Sequence, residues 1–76
     1  MFHVDFPAAS AAARKAGFPT FADAANCAYH QARQGGECQV RLRSGALVAD
    51  FFRNDDRSVS VAATDLGKAH VEAWAR

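Results

Sequence analysis

The stretch that decides the fold runs from Thr20 to Phe52 and reads TFADAANCAYHQARQGGECQVRLRSGALVADFF. Thr20 stands shortly before Asp23, close to the spacing of a capping box, and Gly35-Gly36 ends the helical pattern. Between these signals, helical spacing relates Phe21, Ala24, Ala25, Ala28 and Ala32. We therefore predict a helix from Phe21 to Gln34 that packs small apolar side chains on a sheet. Its polar face carries Asp23, Asn26, His30 and Arg33.

After the glycines, the sequence alternates with the period of two that is typical of strands. Ser44-Gly45 supplies a tight turn between two such runs, which predicts a β-hairpin. The inward side chains of the predicted register form the pairs Leu42 with Leu47, Val40 with Ala49, and Cys38 with Phe51. A slip of one residue would turn this whole set to the wrong face of the sheet, so the hydrophobic pattern specifies the pairing.

The flanking segments complete one α+β domain over residues 1–76. We predict a short strand through Phe2, Val4 and Phe6, a helix from Ala8 to Ala16 ended by Gly17, and a further strand from Ser58 to Ala63. A last helix, capped by Thr64 or Asp65, runs to Ala75 with its apolar side formed by Leu66, Ala69, His70, Ala73 and Trp74. The expected architecture is an antiparallel sheet of three to four strands with helices packed on one face, in the order β-α-α-β-β-β-α.

Composition narrows the class of protein. The net charge of +1 argues against a dedicated nucleic-acid binder, because phosphate neutralisation usually demands a strongly basic surface. A chain of 76 residues builds only a small core, which leaves a homodimer open. Asp5 and Pro7 interrupt the apolar run that a signal peptide needs, so we expect a cytoplasmic protein without membrane contact. Cys27 and Cys38 are expected to be free thiols.

No motif points to catalysis. The histidines and cysteines share no metal-ligand spacing such as Cys-x-x-Cys, and no serine stands in a nucleophile signature. The paired carboxylates Asp55-Asp56 fall in a predicted turn, where solvated turn chemistry accounts for them. We therefore expect no catalytic residue, no metal and no cofactor, and a protein that is not an enzyme.

The outward face of the hairpin is the one candidate site. The predicted register places Arg41, Arg43, Val48, Phe52 and Arg53 on it. Arginine and aromatic side chains are enriched where proteins bind one another, and they also follow nucleic-acid strands. Three explanations stay open: a protein partner, a nucleic acid, or an N-terminal helix that covers Val48 and Phe52 and leaves the arginines paired with Asp50. Nucleic acid ranks below a protein partner because of the charge.

The segment Thr20-Phe21-Ala22-Asp23-Ala24, through Gly35-Gly36 to Val48-Ala49-Asp50-Phe51-Phe52, resembles a format of very small phage and mobile-element proteins. Some anti-CRISPR proteins share this helix, stop and twisted hairpin. The resemblance covers about half of the chain and carries over no functional residue. It implies a non-enzymatic inhibitor that docks on a CRISPR effector complex and blocks binding of target DNA.

The order helix, three strands, helix from Thr20 to Arg76 is also similar to a double-stranded-RNA-binding domain. That family grips phosphates with a lysine cluster at the start of its last helix. The matching region here, Thr64-Asp65-Leu66-Gly67-Lys68, has a single lysine and an aspartate. Because the departure falls on the main binding element, a small nucleic-acid-binding module is the alternative rather than the leading hypothesis.

Overall fold

A computed structural model describes residues 1–5 and 16–76 of the chain. These residues form an α+β fold, as predicted, with one antiparallel sheet of five strands and two helices. The elements are β1 (Phe2–Asp5), β2 (Ala16–Phe18), α1 (Phe21–Gly35), β3 (Glu37–Leu42), β4 (Leu47–Arg53), β5 (Val59–Ala63) and α2 (Lys68–Ala75). The strand order in the sheet is β2-β1-β3-β4-β5.

Helix α1 confirms the prediction from its capping signals and its apolar stripe. The Thr20 hydroxyl accepts a hydrogen bond from the Asp23 N–H at 3.3 Å, which satisfies one donor of the first turn. At the other end, Gly36 adopts φ 97° and its N–H donates to the carbonyl of Ala32 at 2.8 Å. The buried residues of the helix are the five predicted ones, Phe21, Ala24, Ala25, Ala28 and Ala32.

The β3–β4 hairpin keeps most of the predicted register. Cys38 pairs with Phe51 and Val40 with Ala49, as expected, but Leu47 lies opposite Arg41 rather than Leu42. The loop consists of residues 43–45 and ends in Gly45 at φ 95°, so Leu42 pairs with Ala46 across it. The three-residue loop shifts the pairing by one residue from the predicted register. Val48 is the extra residue of a β-bulge that shifts the pairing back, so the predicted register holds from Val40 toward Glu37.

The N-terminal strand joins the sheet beside β3, where Phe2 pairs with Leu42 and Val4 with Val40. Strand β2 was not predicted. Ala16 and Gly17, expected to end a helix, instead pair with Val4 and His3, because the chain returns along β1 as an edge strand. Phe6 and the predicted helix up to residue 15 lie outside the described residues.

The last helix begins later than its sequence suggests. Neither Thr64 nor Asp65 caps it, because the Thr64 hydroxyl is bonded to the carbonyls of Leu47 and Val48, at 2.7 and 3.1 Å. Gly67 occupies the N-cap position, and no side chain bonds to the first turn. The predicted apolar side is also wrong in part: Leu66, Ala69 and Ala73 are exposed, whereas the half-buried side chains of α2 are Val71 and Trp74.

Both helices pack on the same face of the sheet. The largest fully buried side chains are Phe51, Val4, Val40, Val48 and Cys38, and they meet the alanine stripe of α1. Helix α2 is joined to this core by Trp74. Its ring lies edge-on to Phe51 with centroids 5.5 Å apart, and its Nε1–H donates to Asn26 Oδ1 of α1 at 3.0 Å. We call the helix-covered side of the sheet the inner face and the opposite side the outer face.

Candidate interaction surface

Two residues predicted for the outer face do not lie on it. The bulge turns Val48 to the inner face, where it is fully buried and packs under Gly67. Arg53 pairs with Val59 and its guanidinium donates to the Arg33 carbonyl, at 2.9 Å, in the last turn of α1. A cation there complements the negative end of the helix dipole. The side chain of Arg53 is therefore a contact to the helix rather than part of the outer face.

Arg41 does lie on the outer face, and neighbouring groups fix its side chain. One terminal nitrogen of its guanidinium donates to the Gly45 carbonyl at 2.9 Å and the other to Gln39 Oε1 at 2.7 Å. Its Nε stands 3.9 Å from an Asp5 carboxylate oxygen. An arginine held in this way loses less conformational freedom on binding than a free one.

Of the other two predicted members, Phe52 lies on the outer face and Arg43 lies in the hairpin loop. Phe52 is half-buried on the outer face, between Glu37 and Ser60 in the register, and its ring takes part in none of the aromatic contacts among the described residues. Arg43 is exposed in the hairpin loop. The predicted explanation in which an N-terminal helix covers Phe52 falls outside the described residues.

The structure adds acidic residues that the hairpin pattern missed. Because paired residues share a face, β1 contributes His3 and Asp5, and the edge of β3 contributes Glu37. The described strands thus place the carboxylates of Asp5, Glu37 and Asp50 on the outer face together with the guanidinium of Arg41. The alternation of Phe2 and Val4 with His3 and Asp5 predicts that His3 and Asp5 share one face of β1. Placing that face beside Arg41 requires the pairing of β1 with β3, which the pattern within β1 does not specify.

Asp50 is the carboxylate of this surface whose pKa is most clearly changed by its surroundings. Its Oδ1 atom is buried without a hydrogen-bond partner among the described residues. Burial raises the pKa of Asp50 above its usual range, and the neighbouring Glu37 carboxylate raises this pKa further, while Arg41 opposes the shift. On the described residues, the outer face is therefore an acidic surface with one fixed arginine and one half-buried phenylalanine.

The two cysteines do not lie on the outer face: Cys27 is in α1, and Cys38 is buried on the inner face of β3. Cys27 and Cys38 are both free. Burial, with smaller contributions from Cys27, Asp5 and Asp50, raises the pKa of Cys38 to about 12, and its thiol donates weakly to the Asp5 carbonyl at 3.5 Å. Burial likewise raises the pKa of Cys27. A high pKa leaves little thiolate at neutral pH, so neither residue has the character of a reactive cysteine.

Three further observations define the context of the surface. Within residues 1–5 and 16–76, no three histidine, cysteine or acidic side chains cluster in a way that would hold a metal ion. Neither helix in the described part of the chain has the length and apolar character needed to cross a membrane. No family model, no curated protein and no solved structure matches this chain.

Proposed function

We propose that this protein is a small, non-enzymatic inhibitor or regulator that acts by protein–protein contact through its outer face. The observation that supports this proposal is the composition of that face. Arg41 is fixed by hydrogen bonds near Asp5 and Asp50, and Phe52 is half-buried farther along the same face, opposite Glu37. An arginine held in place and an aromatic ring on one polar face are residue types that are enriched at protein-interface hot spots.

The charge of the face selects the chemistry of the partner. With Glu37 and Asp50 on this face, the complement is a protein surface that presents lysine or arginine beside an apolar residue. Proteins that handle nucleic acids carry such basic surfaces, and CRISPR effector complexes hold their heteroduplex in a positively charged channel. An acidic face that occupies such a surface would exclude DNA from it. This agrees with the phage-type, anti-CRISPR resemblance of the sequence.

The experiment measures target-DNA binding by purified CRISPR effector complexes of several types in the presence of this protein. The informative variant is Glu37→Lys on the outer face, and the matched control is Glu72→Lys on α2, because both residues are exposed and both changes alter net charge equally. We expect the wild type and Glu72→Lys to weaken DNA binding by one of the complexes. Glu37→Lys should lose at least about tenfold of this inhibition, since it places a cation against a basic partner.

Two results would contradict the proposal. If no effector complex responds to the wild type, the anti-CRISPR function is wrong. If Glu37→Lys and Glu72→Lys inhibit equally, the outer face is not the contact surface. A Phe52→Ala variant tests the apolar component in the same assay, and we expect it to weaken inhibition without changing net charge.

A nucleic-acid-binding module is the second candidate, and one observation favours it. The order α1-β3-β4-β5-α2, with both helices on one face of the sheet, is the order expected from the resemblance to a double-stranded-RNA-binding domain. Against it stand the single lysine at the start of α2, Lys68, and the acidic outer face. A gel shift with duplex RNA and DNA separates the candidates: steep salt dependence of binding would support this function and its absence would exclude it.

A further inference from the structure

We propose that two copies of this chain pair along β5, antiparallel, to form one continuous sheet across a two-fold axis at Val61. This inference is independent of the proposed function. Strand β5 ends the sheet on one side, and in the described part of the chain only β4 pairs with it. A free strand edge is a template for pairing with another chain unless the sequence protects it.

The two edge strands of the sheet, β2 and β5, differ in how well their sequences prevent pairing with another chain. In the described part of the chain, strand β2 is Ala16–Phe18 and is followed by Pro19, and a short strand and a proline both discourage pairing. Strand β5 reads VSVAA, without a charge, a proline or a glycine, and its pairing with β4 is regular along its whole length. None of the usual devices that block edge-to-edge association is present in it.

The free hydrogen-bonding groups of β5 follow from the ladder that it forms with β4. The Thr64 N–H donates to the Val48 carbonyl at 3.0 Å and the Asn54 N–H to the Ser58 carbonyl at 2.8 Å, so the even-numbered residues of the strand bond to β4. Val59, Val61 and Ala63 consequently direct both their N–H and their C=O groups away from β4. This set is symmetric about Val61, as an isologous antiparallel pair requires.

The side chains of β5 and its flanking residues favour a second copy of this chain as the strand that pairs with this edge. Centred on Val61, the pairing places Val59 opposite Ala63 of the other copy. Val59 and Val61 are half-buried and Ala63 is exposed on the inner face, beside Phe51 in the register, so the pairing would cover them and join the two cores. Arg57 lies just before β5 and Asp65 just after it, so antiparallel pairing about Val61 brings Arg57 of one copy toward Asp65 of the other. Both are exposed and opposite in charge, which gives a complementary contact at each end of the interface.

The experiment measures the molar mass of the protein by sedimentation equilibrium over a wide range of concentration. The disrupting variant is Ala63→Pro, because this position uses no backbone N–H in the pairing with β4, and a proline with its nitrogen toward solvent is tolerated on an edge strand. We expect the wild type to dimerise and Ala63→Pro to be monomeric, with the dimer dissociation constant raised at least about tenfold. Circular dichroism checks that the variant is folded.

A charge exchange tests the register without altering the strand itself. Arg57→Glu should weaken the dimer, as should Asp65→Arg, and the double variant should restore it because each new charge faces the other. A wild type that stays monomeric at every concentration overturns the proposal, as does a dimer that Ala63→Pro leaves intact. If Ala63→Pro fails to fold, failure of the double variant to restore association overturns the proposal instead.

Discussion

At the scale of single residues, the two hairpin loops end with the same left-handed backbone conformation, but only one of them has a glycine at that position. The β3–β4 loop closes with Gly45 at φ 95°, and the β4–β5 loop closes in the same way with Arg57 at φ 71°. The left-handed region favours glycine, and other residues adopt it at a cost of about 1 kcal/mol or more. Among the described residues, Arg57 is the only non-glycine with a positive φ.

We predict that Arg57→Gly stabilises the fold by about 0.5–1 kcal/mol, because relief of the left-handed strain exceeds the entropy that glycine adds to the unfolded chain. Arg43→Gly is the matched control: it also removes an exposed arginine from a hairpin loop, at a position where φ is not positive. That change should be neutral or destabilising. Urea denaturation of both variants checks the prediction, which fails if the two shift the free energy of unfolding equally.

Gly67 is required for a different reason, the close approach of two segments. A Cβ atom built on Gly67 would overlap the Val48 carbonyl and stand 2.7 Å from Val48 Cγ1, whereas a Cβ on Gly35 meets nothing within 4 Å. We predict that Gly67→Ala destabilises the protein by about 1–3 kcal/mol through this clash. Gly35→Ala, in the last position of α1, should be neutral or stabilising by up to about 1 kcal/mol. Thermal melts compare the two, and equal midpoints would contradict the assignment.

At the scale of elements, α1 and α2 depend on their surroundings to different degrees. Helix α1 has a side-chain cap, a glycine stop and a buried stripe, all encoded within its own segment. Helix α2 spans eight residues with no side-chain cap and no fully buried residue. A helix this short is not stable alone in water, so α2 depends on its contacts through Val71, Trp74 and the ring of His70, which stacks on Phe21 at 5.4 Å.

We predict that Trp74→Ala detaches α2 while α1 and the sheet stay folded. The change removes the ring contacts with Phe51 and Tyr29 as well as the hydrogen bond to Asn26. In hydrogen-exchange NMR, the amides of residues 68–75 should lose protection and those of residues 21–35 should keep it. Asn26→Ala, which removes only the hydrogen bond, should weaken stability by about 0.5–1.5 kcal/mol. Unchanged protection of α2 in Trp74→Ala would refute its role as the anchor.

At the scale of the whole molecule, two carboxylates should shift the pH dependence of stability in opposite directions. The pKa of Asp50 is raised by burial and by Glu37, so its stabilising contribution is present in acid and lost as the pH rises through its folded pKa. The pKa of Asp56 is lowered by hydrogen bonds from the Ser58 hydroxyl and N–H. Its contribution is therefore present at neutral pH and lost on acidification.

We predict that Asp50→Asn raises the thermal midpoint at neutral pH and that this gain shrinks as the pH falls to about 4 and below, where carboxylates are protonated. Asp56→Asn should lower the midpoint at neutral pH, and that loss should also fade in acid. Melting curves recorded from neutral to acid pH test both signs in one experiment. Differences of the same sign for the two variants would show that one of the two environments is assigned incorrectly.

The sequence by itself determined the features that depend on near neighbours along the chain. The Thr20 cap, the alanine stripe and the glycine stop of α1 act within a few residues, and strand alternation specified the pairing of Cys38 with Phe51. Only the tertiary structure decided the side of the sheet for Val48 and Arg53, the existence of β2 and the start of α2. Each of these depends on a distant segment. Val48 packs under Gly67, and Arg53 donates to the carbonyl of Arg33. Strand β2 forms by pairing with β1, and α2 starts late because Thr64 is bonded to β4. A bulge shifts a register by one residue, and local periodicity contains no information about whether a distant partner will stabilise it.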